Sequence, residues 1–106
     1  MKNLKLLNAH NNYVIDQNGI TGLDLTELDV TGNDKITNVS FMKNLKILRA
    51  CHGSGIGQNG ISELDLIEID ITGNKNITDL SFMKNLKMRR VNLIQLCNLY
   101  DSLIGK

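Results

Sequence analysis

His10, Cys51 and His52, near the ends of strand-like segments, invite a reading as metal ligands or as a nucleophile and its base. Two imidazoles and a thiolate could hold a zinc ion, and a cysteine in contact with a histidine base could attack an electrophile. GSGIG, from Gly53, invites a third reading as a phosphate-cradling loop. None of these has the spacing its chemistry needs. Cys51 and Cys97 form no CxxC. Cys51 and His52 are chain neighbours whose side chains tend to diverge. GSGIG opens no GxGxxG helix and is followed by no Gly-Lys-Ser/Thr. The sequence therefore predicts no catalytic residue, no metal and no cofactor.

The bulk composition narrows the classes further. A chain of 106 residues is one domain, spanning 1–106. Aliphatic side chains must fill its core, because 42% of residues are hydrophobic while aromatics are only 4% and Trp is absent. Twelve basic residues balance 11 acidic ones, a net charge of +1. That balance argues against nucleic acid or an anionic membrane as a partner bound by bulk electrostatics. MKNLKLLNAHNNYV turns polar too early for a signal peptide, and no apolar run reaches membrane-spanning length. The expected location is cytoplasmic and reducing. Asn38-Val39-Ser40 and Asn76-Ile77-Thr78 match glycosylation acceptors, which without a signal are expected to be chance matches.

The elements that position these residues are written as a repeat. QNGITGLDLTELDVTGNDKITNVSFMKNLKILR, from Gln17, aligns without gaps to QNGISELDLIEIDITGNKNITDLSFMKNLKMRR, from Gln58, at an offset of 41. The same offset sets MKNLKLLNA over MKNLKILRA. A period near 41 could mean helix pairs, but LDLTELDV alternates apolar and polar as a strand does, and Gly-Asn breaks follow it. The period also divides. Leu4-Leu7-Ala9-Asn12, Leu25-Leu28-Val30-Asn33, Leu45-Leu48-Ala50-Gly53 and Leu66-Ile69-Ile71-Asn74 share one spacing, with starts 21, 20 and 21 residues apart.

That spacing, LxxLxLxxN from Leu4 to about Val91, resembles the signature of the leucine-rich repeat family, and the short unit is similar to its internalin-like subclass. The resemblance implies an α/β solenoid: a curved parallel sheet on the concave side, with short helical or 3₁₀ turns and loops on the convex side. One unit cannot bury its leucines alone, so neighbours stack on a shared core. By the same resemblance Asn12, Asn33 and Asn74 form a buried ladder bonded to backbone. Gly53 replaces the asparagine once, at what should be a looser turn. SFMKNL at Ser40 and Ser81 is expected to be a Ser-capped helical turn, and DQNGITG and GQNGISE to be loops. Thr31 and Thr72 are expected to be exposed.

The concave positions would carry Glu27, Asp29, Arg49, Glu68, Asp70 and Arg90. Along the strands the series Asn8, Asp29, Arg49, Asp70, Arg90 alternates in sign, and the sequence favours a self-neutralising ladder over a charged docking strip. In such a stack His10 lies two strands from Cys51, about 10 Å away, too far for a shared metal.

Both ends depart from the pattern. Arg89 takes a leucine position, and RVNLIQLCNLYDSLIGK spaces its apolar residues as an amphipathic cap helix over 92–106. The first strand has only three residues before it, so an uncovered edge and a possible homodimer through it are expected. The functional expectation is a non-enzymatic module that binds an unidentified protein. The alternative is a purely structural fragment of a longer array with no ligand of its own.

Overall fold

The structure, a computed structural model, describes residues 4–12 and 14–91. Five three-residue strands form one parallel sheet in chain order: β1 (Leu6–Asn8), β2 (Glu27–Asp29), β3 (Ile47–Arg49), β4 (Glu68–Asp70) and β5 (Met88–Arg90). Each successive strand lies beside the last, which makes the chain a stack of units, a solenoid with little helix. Among the described residues, helical structure is confined to α1 (Gln17–Ile20) and a 3₁₀ turn over Gln58–Ile61. We call the units containing β1, β3 and β5 odd and those containing β2 and β4 even.

The alternation in the sequence sets the register. Leu7, Leu28, Leu48, Ile69 and Arg89 are direct partners across the sheet. Their flanking residues face outward, so a slip of one residue would expose the leucines. Inside, equivalent side chains stack in columns: Leu25, Leu45 and Leu66; Ala9, Val30, Ala50 and Ile71; Ile36, Ile56 and Ile77, all buried. Odd units add Ile20 and Ile61 where even units add Val39 and Leu80, which is why the exact repeat is two units long. Arg89 ends the leucine column half-buried. It lines a cleft of about 250 Å³ with Leu80, Met83, Leu86, Lys87 and Met88. The cap-helix expectation for 92–106 falls outside the described residues.

The asparagine ladder is present in the even units. Asn33 and Asn74 are 1% and 3% exposed. The Asn33 amide donates to the carbonyls of Asn12 and Ile15 at 2.9 and 3.0 Å, and its oxygen accepts the N–H groups of Lys35 and Ile36. Asn74 donates to Ala50 and Ile56 at 2.8 and 3.0 Å. Asn12 accepts from Val14 and Ile15 but is only half-buried.

Three local expectations need correction. Gly53 does not stand in for the asparagine. It has φ 75°, like Gly32 (74°) and Gly73 (78°), the residues just before the asparagines. Ser54 takes the asparagine place: it is 8% exposed, its N–H closes the turn onto Cys51, and its hydroxyl oxygen accepts from Ile56. The turn of unit 3 is thus shifted by one residue, and the shift is absorbed before Ile56.

The helical turns also fall elsewhere. They form at QNGI, where Asp16 Oδ1 caps α1 through the Gly19 N–H at 3.0 Å, whereas SFMKNL makes plain turns. There Asn38 and Asp79 take both the N–H and the hydroxyl of Ser40 and Ser81, so those hydroxyls cap no helix. Thr31 and Thr72, finally, are half-buried and bonded. Thr31 Oγ1 accepts the Cys51 N–H at 3.2 Å, and Thr72 Oγ1 donates to Asp70 at 2.8 Å. Thr31 thus pins the neighbouring strand end, whereas Thr72 closes onto the aspartate two residues before it.

Candidate functional site

The strand register brings the six charged candidates onto one face. Glu27, Ile47, Glu68 and Met88 form one outward row after Leu6, and Asp29, Arg49, Asp70 and Arg90 form another after Asn8. Glu27, Asp29, Arg49, Glu68 and Asp70 are half-buried, and Arg90 is exposed.

The pairing on this face differs from the expected Asp–Arg ladder. Arg49 reaches diagonally, with Nη1 at 3.2 Å from Glu27 and Nη2 at 3.7 Å from Glu68. Asp29 and Asp70 turn back on their own chain and accept the N–H groups of Thr31 and Thr72 at 3.0 and 3.1 Å. The reason is reach. An aspartate at a strand end is short enough to close a turn on the residue two ahead, while glutamate is one methylene longer and crosses to the next strand. Arg49 is therefore the centre of a three-residue cluster spanning β2, β3 and β4. Each pair contributes up to about 1 kcal/mol at such exposure. The cluster carries one more negative charge than positive.

The three groups with reactive chemistry each engage a different partner. His10 Nδ1 lies 3.9 Å from Asp29 Oδ2. The His52 ring lies over Gly73, where any Cβ would collide with it. The Cys51 thiol donates to the Asp70 carbonyl at 3.5 Å. Burial, reinforced by hydrogen bonding to Asp70, pushes the thiol up to about 11, so it stays protonated at neutral pH. Burial opposes the charge of Asp70, but bonds from Cys51 and Thr72 outweigh it and hold that carboxyl below its ordinary value. Among the described residues no group of three or more His, Cys, Asp and Glu could hold a metal ion. No helix among them is long and apolar enough to cross a membrane.

The residues that sequence reading missed lie on the opposite side of the stack. Gln17 accepts the N–H groups of Thr37 and Asn38 and donates to the Asn38 carbonyl at 2.8 Å. Gln58 does the same to Thr78 and Asp79, donating to Asp79 at 2.7 Å. Each glutamine thus fastens an odd unit to the even unit after it. Asn44 to Asp24 and Asn85 to Asp65 add side-chain rungs in the other direction. The signal was the exact recurrence of QNGI, which the strand-centred spacing left as loop.

A scan against protein-family models, a search of curated proteins and a search of solved structures each found no match to this chain. The functional reading rests on the geometry of the face and on the repeat itself.

Proposed function

We propose that this chain is a non-enzymatic protein-interaction module of the leucine-rich repeat type, working inside the cell and binding a protein partner through the concave side of its sheet. The observation that carries the reading is the Glu27–Arg49–Glu68 cluster. Three strands hold an arginine in place between two carboxylates, with all three side chains still reachable by solvent. A pre-ordered arginine flanked by the partly exposed Ile47 and the exposed Ile67 and Met88 offers a partner both charge pairing and apolar contact. The six candidates, four acids against two arginines, are acidic on balance, and Lys46 and Lys87 beside them offset that excess. Such a mixed face suits another protein rather than a polyanion.

The test inverts the cluster without breaking it. The triple variant Glu27→Arg, Arg49→Glu, Glu68→Arg keeps each pairing opposite in sign. A swap of the exposed Lys43–Glu63 pair, 3.8 Å apart, serves as control. In affinity capture from the source cells followed by mass spectrometry, the expected result is a partner lost by the triple variant and kept by the control. Equal capture by all three forms, with the triple variant folded, would favour the purely structural repeat.

A further inference from the structure

The even units LDLTELDV and LDLIEIDI exchange a polar for an apolar residue at one place only, Thr26 against Ile67. Thr26 donates its hydroxyl to the Lys5 carbonyl at 3.2 Å. An isoleucine has no hydroxyl to do the same, and Ile67 lies 41% exposed. Core packing therefore does not account for the change.

The backbone sets what stands beside Ile67. The carbonyls of Thr26, Lys46 and Ile67 each accept two successive N–H groups of the next unit, at 2.7 to 3.1 Å. These shared acceptors hold Lys46, Ile67 and Lys87 side by side on successive units, and all three are exposed. Ile47, Glu68 and Met88 form the adjoining row of the sheet, with Met88 46% exposed. At about 4.8 Å per strand, the two lysines stand about 10 Å apart with the isoleucine midway.

The acids around this row are engaged elsewhere. Glu68 reaches Arg49 at 3.7 Å, and Glu63 pairs with Lys43 at 3.8 Å. Asp65 accepts from the Asn85 amide at 2.9 Å. Among the described residues neither Lys46 nor Lys87 has an ion pair. The patch thus presents positive charge, an apolar side chain, and positive charge again, in even steps.

We propose that Lys46, Ile67 and Lys87 receive an acidic amphipathic helix of the partner, lying along the stack; this rests on the reading of the sheet face as a protein-binding surface. With a rise of about 1.5 Å per residue, helix positions i and i+7 lie about 10.5 Å apart on one side, and i+3 and i+4 fall between them. Carboxylates at i and i+7 meet the two lysines, and an apolar residue at i+3 or i+4 covers Ile67, with Ile47 and Met88 flanking it. An extended segment, with about 6.8 Å between residues on one side, falls out of step with the row. A nucleic acid would meet the lysines but gain nothing from the isoleucine, and the row offers no aromatic side chain on which a base could stack.

Fluorescence anisotropy with labelled synthetic peptides tests the match. The probe is a helical peptide of about 18 residues, Ala and Gln apart from Glu at i and i+7 and Leu at i+3 and i+4. Saturable binding to the native chain is expected. A peptide of the same composition with its glutamates at i and i+5, on different sides of the helix, should bind about tenfold more weakly. Lys46→Glu with Lys87→Glu should weaken the probe about tenfold or more. Ile67→Thr, which installs the residue of the twin unit, should weaken it about fivefold. Lys75→Glu, exposed on a turn, should leave it unchanged. No binding of the probe, equal binding of both peptides, or indifference to the lysine and isoleucine variants would overturn the proposal. Tighter binding of a peptide with Lys in place of Glu, or of a single-stranded oligonucleotide through the same lysines, would overturn it too. If the probe fails while captured partner is still lost on inverting Glu27, Arg49 and Glu68, the acidic helix falls and the protein-binding face stands.

Discussion

Replacing Asn33 with alanine is expected to destabilise the protein by about 3 kcal/mol in a denaturant titration. The amide donates to two carbonyls of unit 1 and accepts two N–H groups of its own turn, at 2.9 to 3.2 Å. At 1% exposure no water replaces it readily. Alanine would leave four backbone groups short of a partner; at about 1 kcal/mol each, less what relaxation toward water recovers, the net loss is about 3 kcal/mol. Asn33→Asp should fare no better, because it keeps the acceptor, loses both donors and buries a charge. Asn12→Ala should cost distinctly less, since Asn12 is half-buried. Equal losses at the two positions would show that the ladder does not run as described.

The second large effect is expected at a glycine with no unusual backbone. Gly60→Ala should cost about 2–3 kcal/mol, the scale of overpacking a tight interior. A Cβ there would lie within van der Waals exclusion of the Thr37 carbonyl. Units 2 and 3 would have to separate, straining the Val39 bond to the Gly60 carbonyl. Because φ at Gly60 is not in the left-handed region, the cost reflects the closeness of two units, partly offset by the lower unfolded-chain entropy of alanine. A neutral Gly60→Ala would mean that the units pack more loosely than drawn.

What the sequence made legible followed from period. Apolar residues at LxxLxLxxN can be buried together only as stacked strands, so strand order, register and the outward face could be read before any coordinates. Detail that depends on side-chain length or on single-residue shifts could not. Gly53 aligned with Asn12 and Asn33 by counting from the strands, whereas the chain needs its left-handed residue there and its buried oxygen at Ser54. Arg49 was placed opposite Asp29 and Asp70 by register, but reach awarded it to Glu27 and Glu68. The role of Gln17 and Gln58 was invisible to a pattern of leucines, although both stand in an exactly recurring QNGI.

The chain is a stack of parallel strands whose units alternate in kind. Nuclear Overhauser contacts between backbone protons test it most directly. Interstrand contacts are expected between Leu7 and Leu28, Leu28 and Leu48, Leu48 and Ile69, and Ile69 and Arg89, the pairs in register. Sequential helical contacts running through Leu23–Val30 and Leu64–Ile71 in place of those pairs would contradict it and restore an array of paired helices.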